Sequence, residues 1–241
     1  MKYKHYLRVL LMNNNDLVSV IMSTYNNEKS IESSVNSILN QTYKNIEFLI
    51  IDDFSTDNTF GILNNLKNSD ERIKVYRNSN NIGLTKSLNK LISKSKGAYI
   101  ARQDADDISL TYRIQKQVNF LKEKKLDAVC ARALTLQENK KIPRLTYYFP
   151  IKFVMRFKNP FIHGTLLIKT DIIHKVGYDE LFYYSQDYKL MSDLISSNFK
   201  IKIIKTPLYI LNTKNNISTK FKKEQQYYSN CVKKKIKPIN T

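Results

Sequence analysis

Asp104-Ala105-Asp106-Asp107 places three carboxylates within four positions. Carboxylates that close repel one another, so an ordered cluster needs a cation or dense hydrogen bonding. Hard cations such as Mg²⁺ or Mn²⁺ prefer oxygen ligands, and Mg²⁺ is often shared with substrate phosphates. The competing reading is an acidic turn that caps the following helix, where Asp is favoured in any case.

Chemistry at such a cluster needs a rigid support. The apolar run Ala98 to Ala101 just before it suits a buried strand. Upstream, Val18 to Ser23 is a strand rich in β-branched residues, followed by a polar turn from Thr24 to Glu28. Ile31, Val35, Ile38 and Leu39 then recur at helical spacing. Ile46 to Ile51 is a second strand, ending in Asp52-Asp53, and Ser55 to Asn58 offers caps for a helix carrying Phe60, Leu63 and Leu66. A third strand at Ile73 to Tyr76 and a helix through Leu84, Leu88, Leu91 and Ile92 lead back to the acid cluster. Beyond it, Ile114, Val118 and Leu121 mark a helix before a strand at Asp127 to Ala131.

Alternating strands and helices imply a mostly parallel sheet covered on both faces. Ligands of such sheets bind at the carboxyl ends of the strands. Tyr25, Asp53 and Asp104 to Asp107 all fall there, so three polar turns converge on one crevice. No glycine-rich loop follows the first strand, which argues against the usual dinucleotide-binding fold.

Global features bound the alternatives. A chain of 241 residues with 42% hydrophobic content is long enough for its own core. No apolar run approaches the about 20 residues of a membrane span. Met1 to Leu11 has basic residues and a short apolar patch but no cleavage-site pattern, so no secretory signal is expected. Cys130 and Cys231 sit in unrelated settings and suggest neither a disulfide nor a thiolate metal site. A cytoplasmic protein is expected. The net charge of +19 points to nucleic acid, an anionic membrane face or anionic substrates. No zinc-finger spacing or RNA-binding aromatic motif accompanies it, so nucleic acid is not the expected partner.

Four segments taken together resemble the family 2 glycosyltransferases: Val18-Ser-Val-Ile-Met-Ser-Thr-Tyr-Asn-Asn-Glu28, Ile50-Ile-Asp-Asp-Phe-Ser-Thr-Asp57, Asn81-Ile-Gly-Leu84 and Arg102-Gln-Asp-Ala-Asp-Asp107. The resemblance runs from Val18 to Leu194 and implies a GT-A fold with a Rossmann-like nucleotide-binding half. It also implies a nucleotide-diphosphate sugar donor, transfer with inversion, and a divalent cation, Mn²⁺ or Mg²⁺. On that basis Ser23, Thr24 and Tyr25 offer hydroxyls and an aromatic face to the nucleotide. Asp53 resembles the acceptor of a uracil N3–H, with Asp52 left to structure. Asp104 resembles the ribose-side position and Asp106 the metal ligand, and Asp107 supports either role. Arg102 pairs with these carboxylates or with a phosphate. His163-Gly164-Thr165 resembles a segment that faces the sugar-phosphate, against the plainer reading of a structural histidine. Asp187 resembles the second acid of the family's Glu-Asp pair and is the expected general base for the acceptor hydroxyl. Gln186 replaces the first acid.

Residues 1–213 are thus expected as the catalytic domain and 214–241 as a basic extension. The extension mixes Lys220, Lys222, Lys223, Lys233, Lys234, Lys235 and Lys237 with Phe221, Tyr227 and Tyr228. Ile151 to Lys158 has a similar mix. Together they suggest peripheral contact with the anionic inner face of a membrane, as a lipid-linked acceptor would require. The alternative is a solvated tail. The expected function is sugar transfer from a UDP-sugar to a glycan or lipid-linked acceptor in surface polysaccharide assembly. The rival readings are a nucleotidyltransferase and a basic nucleic-acid-binding protein.

Overall fold

The computed structural model describes residues 16–214 and 221–239. Met1 to Leu11 and Lys220, read above, lie outside the described residues. The sheet order is β3-β2-β1-β4-β8-β6-β9-β5, with β7 paired to β6. Its first half is the parallel unit expected from the alternation: β1 (Val18–Thr24), β2 (Ile46–Asp52), β3 (Ile73–Arg77) and β4 (Tyr99–Arg102). Helices α1 (Ile31–Leu39), α2 (Thr59–Ser69) and α3 (Leu84–Lys94) connect these strands.

Strand period fixes the core. Val18, Val20 and Met22 point to one face of the sheet, where Ile31, Val35 and Ile38 of α1 cover them. Ile21 points to the other, against Leu88, Leu91 and Ile92 of α3. Helix α4 (Arg113–Glu123) adds Ile114, Val118 and Leu121 to the first face. Register then aligns the strand ends. Thr24 lies opposite Asp52, and Ile21 opposite Arg102, so the loops after β1, β2 and β4 open on one edge.

The second half is mixed. Strand β6 (Ala128–Thr135) runs beyond the expected Ala131, and its partners are β7 (Lys141–Ile142), β8 (Leu167–Lys169) and β9 (Ile201–Leu211). Antiparallel β8 joins the halves by pairing with both β4 and β6. His163 to Thr165 forms a 3₁₀ turn, and β8 begins at Leu167. Strand β9 is parallel to β6 and closes on β5 (Ile108–Ser109), with Tyr209 opposite Ser109. That pairing carries the end of β9 to the acid turn, which local sequence patterns do not reveal.

Short helices α5 (Ile151–Val154) and α6 (Thr170–Val176) precede α7 (Gln186–Ser196), which carries Asp187 in its first turn. The basic stretch after 213 forms α8 (Lys222–Lys234). Cys231 and Val232 of α8 bury against Phe182 and Tyr188 beside α7. Tyr228 stacks edge-on with Phe182 and Tyr184. The described part of the tail is therefore docked, and the reading of a wholly solvated tail does not hold for it. Both cysteines are free and buried.

Candidate active site

A cavity of ≈ 1010 Å³ opens along the carboxyl edge of the sheet. A smaller hollow of ≈ 710 Å³ adjoins it, and Asn26, Asn27, Asp106 and Asn212 line both. The first wall is the loop after β1. Ser23, buried Thr24 and half-exposed Tyr25 face the cavity as expected. This loop is laced to the one after β2: Asn26 N donates to Ser55 Oγ at 2.9 Å, Asn27 N to Thr59 Oγ1 at 2.8 Å, and Thr56 N to Asn26 Oδ1 at 2.8 Å.

The two acids ending β2 divide their labour. Asp52 is fully buried and pairs with Arg77 Nε at 3.1 Å, the structural role expected. Asp53 borders the cavity. It accepts from Asn78 Nδ2 at 2.8 Å, Ile82 N at 2.9 Å and Gly83 N at 2.8 Å. Gly83 is required there for two reasons. Its φ is +87°, and a Cβ would come within 2.6 Å of the Tyr183 ring. The Asn81-Ile82-Gly83 segment is thus a loop clasped by Asp53.

The acid turn is organised from beneath. Gln103, wholly buried, donates to the carbonyls of Asp104 at 3.1 Å and Asp107 at 2.9 Å, and accepts from Ser109 Oγ at 2.6 Å. Arg102 is 1% exposed and does not reach the cavity. Of its two expected partners, the carboxylate is the one it meets: one guanidinium nitrogen lies 2.5 Å from Asp104 Oδ1 and the other donates to Gln103 O at 2.8 Å. Asp104 N donates to the Tyr209 hydroxyl at 3.0 Å, and Asn212 N donates to Asp107 Oδ1 at 2.7 Å.

Asp104, Asp106 and Asp107 differ in their contacts. Among the described residues, no three His, Cys, Asp or Glu side chains are placed to hold a metal ion together. The reason is that Asp104 turns to Arg102, and Asp107 is buried against the end of β9. Asp106 differs, being in no ion pair among the described residues and fronting both hollows. Burial and then the Asp104 charge raise its carboxyl to about 6. Burial, with Asp104 and Asp106, raises Asp107 to about 9.

Across the cavity, His163 Nε2 meets the Tyr178 hydroxyl at 2.6 Å. Burial and the Arg102 charge push this imidazole down to about 3, so it is neutral. Gly164 beside it has no room for a side chain. A Cβ would run into the Tyr209 hydroxyl and lie 2.6 Å from Asp104 Oδ2. Asp187, in the first turn of α7, borders the same cavity, and Asn159 Nδ2 donates to its Oδ2 at 2.8 Å. Burial raises the Asp187 carboxyl, and Asp104 adds to the rise. The structure therefore gathers all the expected site residues except Arg102 around one cavity. It adds Gln103, Asn159, Tyr209 and Asn212, which sequence reading missed. For Tyr209 the usable signal was the β-branched, alternating run from Ile201 to Leu211.

The family model described as Glycosyl transferase family 2 matches residues 19–184. An uncharacterized glycosyltransferase of Methanocaldococcus jannaschii is 33% identical over 88% of this chain and 76% of its own. An Escherichia coli UDP-Glc:alpha-D-GlcNAc-diphosphoundecaprenol beta-1,3-glucosyltransferase is 30% identical over 76% of this chain and 71% of its own. Among solved structures, a mannosyltransferase of Pyrobaculum calidifontis in complex with GDP-Man and Mn²⁺ superimposes with a TM-score of 0.72. The match covers 94% of this chain and 68% of that one at 17% identity, and shows the GT-A fold.

The neutral histidine carries a pH signature. Folded His163 takes its proton only near pH 3, whereas an unfolded histidine takes it near 6.5. Between those values the unfolded chain binds more protons, so stability falls as pH drops below 6.5. Urea midpoints measured from pH 7 to 4 should fall more steeply for the wild type than for His163→Gln; parallel profiles would refute the assignment.

Proposed function

This chain belongs to glycosyl transferase family 2, and from that premise we propose that it transfers a sugar, with inversion, from a UDP-sugar to a hydroxyl of a glycan or lipid-linked acceptor. The observation that carries the reading is a single cavity bordered by a nucleotide-type wall at Tyr25 and Asp53, by Asp106, and by Asp187. The Escherichia coli relative supports the donor and acceptor classes, and an O-antigen biosynthesis glycosyltransferase of the same species, 38% identical over 73% of this chain, supports surface polysaccharide assembly as the setting. The rival readings, nucleotidyl transfer and nucleic-acid binding, gain no support from the relatives.

The half-exposed Tyr25 ring suits a base laid against it. Asp53 has about four acceptor positions. Three are filled by the clasped loop, which leaves one for the N3–H of a uracil. Arg102, fixed below, holds Asp104 on the ribose side. Asp106 fits a divalent cation: among the described residues it is an oxygen donor outside any ion pair, and Mg²⁺ is commonly bound by one or two carboxylates with substrate phosphates completing its shell. Mn²⁺ beside GDP-Man in the archaeal neighbour is consistent with that fit. Such a cation would supply charge neutralisation for the departing diphosphate. Lys158 and Lys222, at the cavity wall, add to it.

Asp187 takes the proton of the acceptor hydroxyl. The acceptor oxygen then bonds to the anomeric carbon as the carbon–phosphate-oxygen bond breaks, and that electron pair leaves with the nucleoside diphosphate. Asn159 occupies Oδ2 of Asp187 and orients the carboxylate. Burial raises its pKa, which makes the ionised form a stronger base.

A peripheral membrane position completes the reading. Residues 139–170 contain no Asp or Glu. Leu145, Tyr148, Phe149, Phe153 and Phe157 are exposed there, among exposed Arg144, Lys152, Arg156 and Lys158. Exposed rings interleaved with cations suit an anionic bilayer surface. The segment runs directly into the cavity wall at Lys158 and Asn159, so an acceptor held in the bilayer would arrive beside Asp187. Among the described residues no helix is long and apolar enough to cross a membrane.

Three measurements test these roles. Asp106→Ala should abolish Mn²⁺-dependent binding of UDP while leaving the fold intact; unchanged metal-dependent affinity would remove Asp106 from the donor site. Asp187→Asn should lower turnover by about 10²–10⁴-fold with little change in donor affinity. Where chemistry limits the rate, the acid limb of the wild-type profile should lie above the ordinary carboxylate range and vanish in this variant. Near-normal turnover would leave Asp187 as a helix residue only. Replacing Phe149, Phe153 and Phe157 together by Ser should weaken co-sedimentation with phosphatidylglycerol vesicles at low salt, and equal binding would rule out this surface.

A further inference from the structure

Helix α8 lies beyond residue 184, where the family match ends. It nevertheless reaches the cavity, where Phe221, Lys222, Gln225 and Ser229 form part of the wall near Asp187. Its most specific contact is with the residue that starts α7. Ser185, the N-cap of α7, is left-handed, with φ 53° and ψ 26°. Serine seldom adopts that conformation unless its surroundings hold it there. Here the surroundings are α8. Ser185 is 5% exposed, and its hydroxyl is shared between Gln225 O at 3.1 Å and Gln225 Oε1 at 2.9 Å. The docking of α8 keeps those acceptors in place through Cys231 and Val232 against Phe182 and Tyr188, and through the Tyr184–Phe221 and Tyr184–Tyr228 ring contacts.

We infer that α8 is a positioning element for the acceptor side of the site: Gln225 tethers Ser185 in its left-handed turn, and that turn sets the direction in which Asp187 enters the cavity. Asp187 is two residues further on, so a change of φ at Ser185 swings the first turn of α7 and with it the carboxylate. Asn159 fixes one oxygen of Asp187 from the opposite side. The base is thus held between a family-matched segment and a tail helix outside the match. The inference rests on Asp187 acting as base, and it gives the carboxy-terminal segment a task in transfer itself, beside any contact with a membrane.

The test compares Ser185→Ala with Ser185→Gly in the full chain. Both lose the hydroxyl, but only glycine takes a positive φ without strain. Ser185→Ala should lower kcat by about 10–100-fold, the scale of a misplaced reacting group, with unchanged affinity for UDP and Mn²⁺. Ser185→Gly should recover the greater part of that loss. Gln225→Ala, at a half-buried helix position, should cost less because the main-chain carbonyl still accepts. Added to Ser185→Ala it should cost nothing further. Wild-type kcat in Ser185→Ala would overturn the tether, as would an equal loss in both Ser185 variants, since the hydroxyl would then serve substrate directly. If Ser185→Ala does not fold, Gln225→Ala is measured in the wild type and in Ser185→Gly: a loss in the wild type that disappears in the glycine background, where no hydroxyl remains to tether, supports the tether, and the same loss in both backgrounds overturns it. Asp187→Asn run in parallel separates the two readings. If it is impaired while Ser185→Ala is normal, the tether alone falls; if it is normal while Ser185→Ala is impaired, the base reading falls and takes the inference with it.

Discussion

The contact between the buried Arg102 guanidinium and Asp104 is the constraint around which the rest of the site is arranged. Arg102 ends a fully buried strand, so its charge has no access to water. A buried charge that loses its partner destabilises a fold by about 3–5 kcal/mol. Burial alone would favour loss of the Arg102 proton, and Asp104 leads the charges that keep it bound. The pair draws Asp104 away from its acidic neighbours and toward the floor. Gly164 must then be bare, because Asp104 Oδ2 and the Tyr209 hydroxyl occupy the space a side chain would take. His163 is held neutral first by its burial and then by the same guanidinium, which disfavours a second cation.

A second buried guanidinium extends the same logic. Arg113 is wholly buried and donates to Arg102 O at 2.6 Å, Gly164 O at 2.8 Å and Gln103 Oε1 at 3.2 Å. Burial lowers its pKa to about 10, which still leaves it charged at neutral pH. Two cations therefore lie beneath three acids, of which Asp107 is pushed well above the usual carboxylate range by burial and by the Asp104 and Asp106 charges. The turn carries less negative charge than its composition suggests. That matters for a cavity proposed to accept a diphosphate, since three ionised carboxylates at its floor would repel the ligand.

The amino-terminal half was legible in the sequence because its geometry is local. A buried strand, a polar turn and an amphipathic helix set where Tyr25, Asp53 and Asp106 emerge, and strand alternation decides which of Asp52 and Asp53 turns inward. What holds those residues in place was not legible, because the partners are remote. Asp104 and Asp107 are tied to Tyr209 and Asn212, each 105 positions away. Arg102 was ambiguous for a related reason: an arginine beside an acid turn reads the same whether it faces a phosphate or the floor, and only burial separates the two. On the acceptor side, Asp187 could be picked out by type and position. Its supports, Asn159, Ser185 and Gln225, are ordinary polar residues whose meaning depends on how α7 and α8 pack.

Gln186 illustrates how a departure from the family pattern can follow from charge. It stands where the Glu of a Glu-Asp pair is expected, and it borders the same cavity as Asp104 and Asp187. Asp187 already feels burial and the Asp104 charge, both of which raise its pKa. A carboxylate at 186 would raise it further and draw the base toward protonation at neutral pH. The amide keeps a donor and an acceptor at that position without adding charge. In the proposed mechanism the amide is free to contact an acceptor hydroxyl, while proton removal is assigned to the carboxylate that Asn159 orients. Under that proposal the substitution separates binding from proton transfer at the start of α7, and it leaves Asp187 as the acid of the helix's first turn.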